Sequence, residues 1–365
     1  MARRLNSRPT SVDGLLIRLE EQVLSHSGVD AFEAIFQLLI ARLTAERLGK
    51  AFEQSTFAGL LTQAAERWPD LQVGAVPLLP PAVLGLCVRS LGGFVLDGES
   101  LPVLDALLER VTAPGAKGGK GQFFTPRNVT TLAASLVDIR PGDRVADPAC
   151  GSGGFLLAAR ARQRESSLYG YDFDARTLRL ARALLLFAGD ADAHLEHADS
   201  LARTGQIPGG GFDVILTNPP FAGDVQDPAL LQTYAVAGSA PRVERDVLFV
   251  ERCVDLLAPG GRMAMVLPQN KLGGQRFAAL RSWLVAQVEV VAVVGLEAST
   301  FLPHTHQKCG VLVVRRPMSG PPPADPEIFF AVSEASGKDR RGRTAGPDDF
   351  DAILTAFAGH QREAV

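Results

Sequence analysis

The sequence predicts a doubly wound, mainly parallel α/β sheet preceded by an all-helical N-terminal domain. Two observations carry this prediction. From residue 11 to about residue 112, apolar residues recur at three- and four-residue spacing, which is typical of amphipathic helices. From residue 122 onward, short β-rich runs alternate with helical stretches, and such alternation is typical of a parallel sheet with crossover helices.

The composition is that of a globular protein with a sizeable core, because 46% of the 365 residues are hydrophobic and 21% are charged. No long uncharged apolar run predicts a membrane span, and the basic start of the chain lacks the apolar segment of a signal peptide. The four cysteines are scattered without a CxxC pair, so we expect reduced thiols in the cytoplasm. They are Cys87, Cys150, Cys253 and Cys309.

The helical periodicity defines an N-terminal domain over residues 1–112. Its clearest helices are expected over 11–24, 30–48 and 103–111. Glycine and lysine dominate residues 113–121, which we interpret as a flexible linker.

The α/β domain is expected over residues 122–316. Its predicted strands lie over 144–149, 167–174, 194–201, 213–220, 262–269 and 288–296. The apolar run 310–316 has no long helix before it, so we expect an edge strand. Residues 317–326 are rich in proline, and 317–365 are therefore interpreted as a hinge and a C-terminal tail.

Acidic residues end three successive predicted strands, where an open α/β sheet binds its ligands. Asp147 ends the first strand and precedes a glycine-rich turn that includes Gly151 and Gly153. Glycines allow the backbone to turn sharply and to approach a ligand closely. Asp172 follows at a suitable distance to bind a ribose diol, and Asp199 is placed to accept from an adenine amino group.

Two kinds of nucleotide-containing cofactor fit such a pattern. A nicotinamide dinucleotide site needs a third glycine in G-x-G-x-x-G, but that position holds Leu156. The acids and glycines on three consecutive strands instead favour S-adenosylmethionine as the methyl donor.

The fourth predicted strand ends in Asn218-Pro219-Pro220-Phe221. An exocyclic amino nitrogen is a poor nucleophile because its lone pair is delocalised into the ring. An amide oxygen and a backbone carbonyl that both accept from the amino group would localise and aim that lone pair. The prolines keep the backbone stiff, and Phe221 offers a flat face for an extruded base. We expect catalysis by positioning and electrostatics, without a metal.

These motifs, with the preceding GQFFTPRNV (121–129), resemble the amino-methyltransferases of DNA. More narrowly, they resemble the modification subunits of type I restriction-modification systems, over residues 100 to 345. The resemblance implies a Rossmann-like methyltransferase fold and adenine-N6 methylation of double-stranded DNA. It places Thr125 at the methionine end of the cofactor, with Phe123 or Phe124 nearby.

The resemblance also implies roles for the strand-end residues. The expected cofactor-binding residues are Thr125, Asp147, Ala149, Gly151, Gly153, Asp172, Asp199 and Asn218, and the expected catalytic residues are Asn218, Pro219, Pro220 and Phe221. The segment 301–314 resembles the family's later segment near the target base, although His306 replaces its usual glycine. Residues 222–245 form a long irregular stretch that we expect to cover the base pocket.

Several alternatives stay open. Asparagine at the first position of the tetrapeptide favours an adenine-N6 methyltransferase over a cytosine-N4 methyltransferase. A cytosine-C5 methyltransferase needs a nucleophilic cysteine directly after a proline, and the sequence has no Pro-Cys pair. We therefore interpret Cys150 as a packing residue. His304, His306 and Cys309 lack a fourth ligand at metal-site spacing. Few residues remain for a DNA-recognition domain, so we expect a separate specificity subunit, whereas the presence of a restriction subunit stays open. The competing functions are methylation of a protein glutamine amide or an rRNA base, and a catalytically silent scaffold.

Overall fold

A computed structural model describes residues 14, 18–19, 21–23, 28–93, 125–303 and 305–363. These residues fall into two compact units. The first contains 28–93 and 179–191, and the second contains 125–178 and 192–363. The helix expected over 103–111, the linker over 113–121, most of the helix over 11–24, and Phe123, Phe124 and His304 lie outside the described residues.

The helices of the first unit include α1 (Ala31–Leu48), α2 (Phe57–Arg67) and α3 (Pro81–Gly92). The carboxylate of Asp30 caps α1 by accepting from the amides of Phe32 and Glu33 at 2.9 and 3.2 Å. Most of α1 is buried because apolar residues occupy nearly all of its faces. A helical N-terminal region is therefore confirmed over the part that the structure describes. None of the described helices is long and apolar enough to cross a membrane.

The second unit is built on an eight-stranded sheet. Its strands are β1 (Arg144–Asp147), β2 (Ser167–Asp172), β3 (His194–His197), β4 (Phe212–Thr217), β7 (Leu257–Pro268), β8 (Glu289–Gly295), β9 (Cys309–Arg315) and β10 (Phe329–Val332). They are arranged in the order β10-β8-β9-β7-β4-β1-β2-β3. All neighbours are parallel except β9, which is antiparallel to β7 and β8. The strand order reverses between β1 and β4, and ligands bind at such switch points. The mainly parallel α/β prediction is confirmed.

Helices connect most of the parallel strands. They are α4 (Arg127–Leu136) before β1, α5 (Gly154–Arg162) before β2, α6 (Ala175–Phe187) before β3, α8 (Arg245–Leu256) before β7, and α9 (Gln269–Gly273) and α10 (Ala278–Gln287) before β8. The apolar faces of α8 and α10 pack with β4 and β7 in one buried core. Long continuous apolar runs such as Val214-Ile215-Leu216 are expected in strands that are buried on both faces.

The structure corrects the prediction that residues 310–316 form an edge strand. Strand β9 lies inside the sheet between β7 and β8. Six consecutive residues, 309–314, are buried. An uninterrupted apolar run of this kind marks an interior strand, whereas the missing helix before it only makes the strand antiparallel.

The edge is formed instead by β10, which pairs in parallel with β8. It is followed by the hairpin β11 (Ser336–Lys338) and β12 (Thr344–Asp348), and by helix α11 (Phe350–Glu363). The boundary drawn at residue 316 thus falls inside the second unit, and residues beyond the proline-rich stretch complete its sheet.

The segment 222–245 is also more regular than expected. Strands β5 (Asp224–Val225) and β6 (Val243–Glu244) pair antiparallel across it, with the short helix α7 (Pro228–Leu231) between them. Glu251 of α8 accepts from the amides of Ala235 and Val236 at 3.0 and 2.8 Å. These contacts attach the segment to the body of the second unit.

Candidate active site

The candidate site lies at the carboxyl edge of the sheet, on both sides of the switch point. Asp147 is the last residue of β1, and Asp172 is the last residue of β2. Asn218 directly follows β4, which pairs with the other side of β1. Because these three strands are parallel neighbours, their final residues share one edge.

Asp147 shapes the turn that follows β1. Its side chain is 1% exposed, and its Oδ1 accepts from the Ala149 amide at 3.0 Å. Burial raises the pKa of Asp147 to about 7, although the adjacent Thr217 hydroxyl and the hydrogen bond from the Ala149 amide lower it. Further along the turn, Gly151 and Gly153 have φ values of +51° and +82°. Only glycine adopts this conformation readily, so the backbone approaches the edge of the sheet without side chains.

Asp172 ties the end of β2 to this glycine-rich turn. Its Oδ2 accepts from the Gly151 amide at 2.9 Å, and its Oδ1 accepts from the Asp174 amide at 2.8 Å. Burial raises the pKa of Asp172, while these two amide hydrogen bonds lower it. The carboxylate keeps further acceptor capacity, since each oxygen carries two lone pairs. Asp172 therefore both holds the turn and offers an acceptor at the edge of the sheet.

Asp199 has a different environment. It follows β3 by two residues and is exposed, and its Oδ1 accepts from the Leu201 amide at 3.1 Å. The neighbouring Ala198 amide donates to the Asp172 carbonyl at 3.0 Å. Asp199 thus stands on the same edge as the buried acids but on the solvent-facing side.

Asn218 forms a hydrogen bond with Thr125, 93 residues earlier in the chain. Its Nδ2 donates to Thr125 Oγ1 at 2.9 Å. The Oδ1 atom of Asn218 is buried and has no hydrogen-bond partner among the residues that the structure describes. A buried acceptor without a partner is costly, so a ligand donor is expected to satisfy it. The threonine thus occupies the donor end of the amide and leaves the acceptor end available.

The aromatic end of the tetrapeptide is supported from the side. Phe221 is half-buried, and its ring meets the ring of Phe301 edge-on, with centroids 6.4 Å apart and an interplanar angle of 71°. Phe301 itself is 1% exposed. Phe301, at the start of the segment 301–314, therefore lies beside Phe221.

Two further side chains at this edge of the sheet were not predicted from the sequence. Thr217 is completely buried next to the Asp147 carboxyl, and Phe173 is 61% exposed directly after Asp172. The sequence did contain a signal for Phe173, because GYDF (170–173) places an aromatic residue directly after the strand-end acid and outside the buried apolar run. Thr217 gave no such signal, since β-branched residues are common in any strand.

All four cysteines are buried and none forms a disulfide. Burial raises the pKa of the Cys150 thiol well above its ordinary value, and the nearby carboxyl of Asp172 raises it further. A thiolate is the nucleophilic form of cysteine, so this environment disfavours a role of Cys150 in covalent catalysis. Its position against the glycine of β2 is that of a small packing residue.

The fold is that of a Rossmann-like methyltransferase. A solved structure of the same class, a putative class I S-adenosylmethionine-dependent methyltransferase from Listeria monocytogenes, superimposes with a TM-score of 0.59 at 19% identity. It covers 89% of this chain and 97% of its own. A modification subunit of a putative type I restriction enzyme from Vibrio vulnificus YJ016 has a TM-score of 0.70 at 18% identity, covering 98% and 91%. At these identities the likeness establishes the fold.

The chain belongs to the N-6 DNA methylase family, whose model matches residues 103–364. S-adenosylmethionine is the cofactor of this family. Among characterised relatives, the methylase subunit of the type I restriction enzyme EcoEI from Escherichia coli is 29% identical over 216 residues. The match covers 53% of this chain and 42% of that relative. The chain therefore spans less than half the length of the curated relatives that it matches.

Proposed function

We propose that this chain transfers a methyl group from S-adenosylmethionine to the N6 amino group of adenine in double-stranded DNA. It would act as the modification subunit of a restriction-modification system, together with a separate specificity subunit. Family membership and the arrangement at the carboxyl edge of the sheet support this proposal. The observation that carries it is the buried Oδ1 of Asn218, which lies beside the stiff diproline and has no hydrogen-bond partner in the described part of the chain.

The residues at the edge suit the cofactor. In the turn from Ala149 to Gly153, only Gly151 and Gly153 lack a side chain, and a Cβ at Gly151 would meet no atom within 4 Å. Asp172 would accept from the ribose hydroxyls, Asp199 from the adenine amino group, and Thr125 would lie at the methionine end. When bound, S-adenosylmethionine supplies an electrophilic methyl group on a sulfonium centre.

Asn218 would orient the target amino group. Its Oδ1 accepts one amino hydrogen, and the backbone carbonyl of Pro219 accepts the other. Both bonds draw the nitrogen lone pair out of conjugation with the ring and direct it toward the methyl donor. Because Thr125 holds the Nδ2 of Asn218, the amide presents its oxygen to the base. This is catalysis by preorganised hydrogen bonds.

Phe221 would stack on the extruded adenine. Its ring is half-buried and is held edge-on by Phe301, so its orientation is set before the base arrives. Preorganised aromatic surfaces suit base-modifying enzymes, which take their target out of the helical stack. Pro219 and Pro220 restrict the backbone between the acceptor and the stacking ring.

The test is methyl transfer by Asn218→Ala in the reconstituted complex. Tritium from labelled cofactor is measured in DNA, in release factor and in ribosomal RNA, so that the acceptor is identified with the rate. We expect label in DNA and a rate about 10²–10³ lower in the alanine variant, the range for losing one preorganised polar group. Asn218→Asp is the matched control, because it keeps an acceptor oxygen and should lose less.

Two results would contradict the proposal. Label in release factor or RNA but not in DNA would assign the chain to another substrate of the same chemistry. An unchanged rate in Asn218→Ala would indicate that this chain is a silent scaffold. Denaturant unfolding of each variant checks that a loss of rate does not come from misfolding.

A further inference from the structure

The hairpin of β11 and β12 has a rigid, basic tip. Residues 339–343 read Asp-Arg-Arg-Gly-Arg. The Oδ1 of Asp339 accepts from the amides of Arg341 and Arg343 at 2.8 and 2.9 Å, and the Arg343 guanidinium pairs with its Oδ2 at 2.8 Å. The single acid of the tip is thereby used internally to shape the turn. The tip carries three positive charges and one negative charge.

This tip is anchored against the turn that supports Phe221. Lys338 Nζ donates to the carbonyls of Thr300 and Leu302 at 2.9 and 3.0 Å, on either side of Phe301. Gly342 has φ +77°, and a Cβ there would lie 2.6 Å from the Leu302 carbonyl carbon. The tip therefore sits directly on the backbone next to the ring that contacts Phe221.

The base of the hairpin is held on a second side by α4. Asn128 Nδ2 donates to Asp348 Oδ2 at 2.9 Å and to the Ser336 carbonyl at 3.3 Å. Asn128 lies three residues after Thr125, whose hydroxyl holds Asn218. The hairpin thus contacts both segments that flank the catalytic tetrapeptide.

Two arginines of the tip point their charge to solvent. Arg340 and Arg341 are exposed, and neither guanidinium forms an ion pair or hydrogen bond with any residue in the described ranges. Lys308 is also exposed, immediately before β9 at the same edge of the sheet. The whole chain has a formal charge of −3, so this concentration of unpaired positive charge is local.

We propose that Arg340 and Arg341 bind backbone phosphates of the DNA beside the extruded base. The inference rests on the proposed function, because it names where the DNA strand lies relative to Asn218 and Phe221. Exposed guanidinium groups bind phosphate strongly, and such contacts position a duplex without reading its sequence. The hairpin would hold the flanking strand in register while the base occupies the pocket.

The test compares the Arg340→Ala/Arg341→Ala double variant with wild type in the assembled complex. The probe is a fluorescent mixed-sequence DNA duplex, and affinity is measured at increasing salt. The slope of log K against log salt is negative, and each lost phosphate contact should reduce its magnitude by about 0.9, so we expect a slope that is less steep by about 2. Between 50 and 200 mM salt, the affinity advantage of wild type should shrink roughly tenfold. Cofactor affinity should not change.

Two controls separate charge from folding and from position. Arg340→Lys/Arg341→Lys keeps the charges and should retain most of the salt slope. Arg162→Ala/Arg164→Ala removes two exposed arginines, one at the end of α5 and one in the loop before β2, at the opposite edge of the sheet. This pair should leave the slope unchanged.

The inference is overturned if the hairpin variant binds DNA with wild-type affinity and slope, or if the opposite-edge variant shows an equal loss. If the wild type methylates DNA but the hairpin variant binds DNA as the wild type does, the proposed phosphate contact is wrong and the proposed function stands. When wild type neither binds nor methylates DNA, the proposed function fails with it.

Discussion

Thr125 has two proposed roles: it orients the Asn218 amide through a hydrogen bond, and it lies at the methionine end of the cofactor. Replacing Thr125 with valine keeps the shape of the side chain but removes the acceptor that lies 2.9 Å from Asn218 Nδ2. One net hydrogen bond contributes about 1 kcal/mol, and leaving a buried N–H unpaired costs about 1–3 kcal/mol. If about 1.4 kcal/mol of this orients the amide, the rate of methyl transfer falls about tenfold. Asn218→Ala, which removes the acceptor itself, should cost more.

The assay is single-turnover transfer of tritium from labelled cofactor to DNA at saturating cofactor, with cofactor affinity measured separately. Thr125→Ser retains the hydroxyl and should restore the rate. The double variant Thr125→Val/Asn218→Ala should be no slower than Asn218→Ala alone, because the threonine acts through the asparagine. A wild-type rate in Thr125→Val would refute the reasoning. A variant that lost only cofactor affinity would also refute it, because Thr125 would then act only at the methionine end of the cofactor.

Further predictions concern the buried charges. Because the pKa of Asp147 is raised to about 7, the folded protein retains this proton between pH about 4 and about 7 while the unfolded chain loses it. As the pH rises from about 4 to about 7, the free energy of unfolding of the wild type should therefore fall relative to that of Asp147→Asn. The measurement is urea unfolding at each pH, and parallel curves of the free energy of unfolding against pH would contradict this. Lys271 is 4% exposed and pairs with Glu244 and with the fully buried Asp246. Lys271→Met should lower the free energy of unfolding by about 3–5 kcal/mol, whereas Arg315→Ala, at an exposed pair, should lower it by less than about 1 kcal/mol. Equal losses in these two variants would refute the burial argument.

Much of the sheet followed from local patterns. Strands β1, β2 and β4 lie within the predicted ranges or within one residue of them, because each is a short apolar run that ends in a polar residue at a turn. The placement of Asp147 and Asp172 at one edge followed from the rule that parallel strands share the direction of their carboxyl ends. Local pattern did not predict the position of β9, because strand order depends on which neighbours bury a run and not on the run itself.

The tail shows the same limit. The proline-rich stretch after residue 316 correctly marks an interruption, but proline only prevents regular structure locally. Beyond it, β10 pairs in parallel with β8, and the following hairpin contacts the turn at Leu302. These pairings join residues that are distant in sequence, so no periodicity in either segment indicates them.

By itself, the sequence determined the kind of sheet, the residues at its strand ends and the chemical character of Asn218-Pro219-Pro220-Phe221. Periodicity, glycine placement and the stiffness of proline are properties of short segments, and they persist in any fold that contains them. Only the tertiary structure decided that Thr125 holds the Asn218 amide, that Phe301 supports Phe221, and that an arginine-tipped hairpin lies beside them. These contacts depend on how the packed strands bring separate segments together, and short-range preferences carry no information about them.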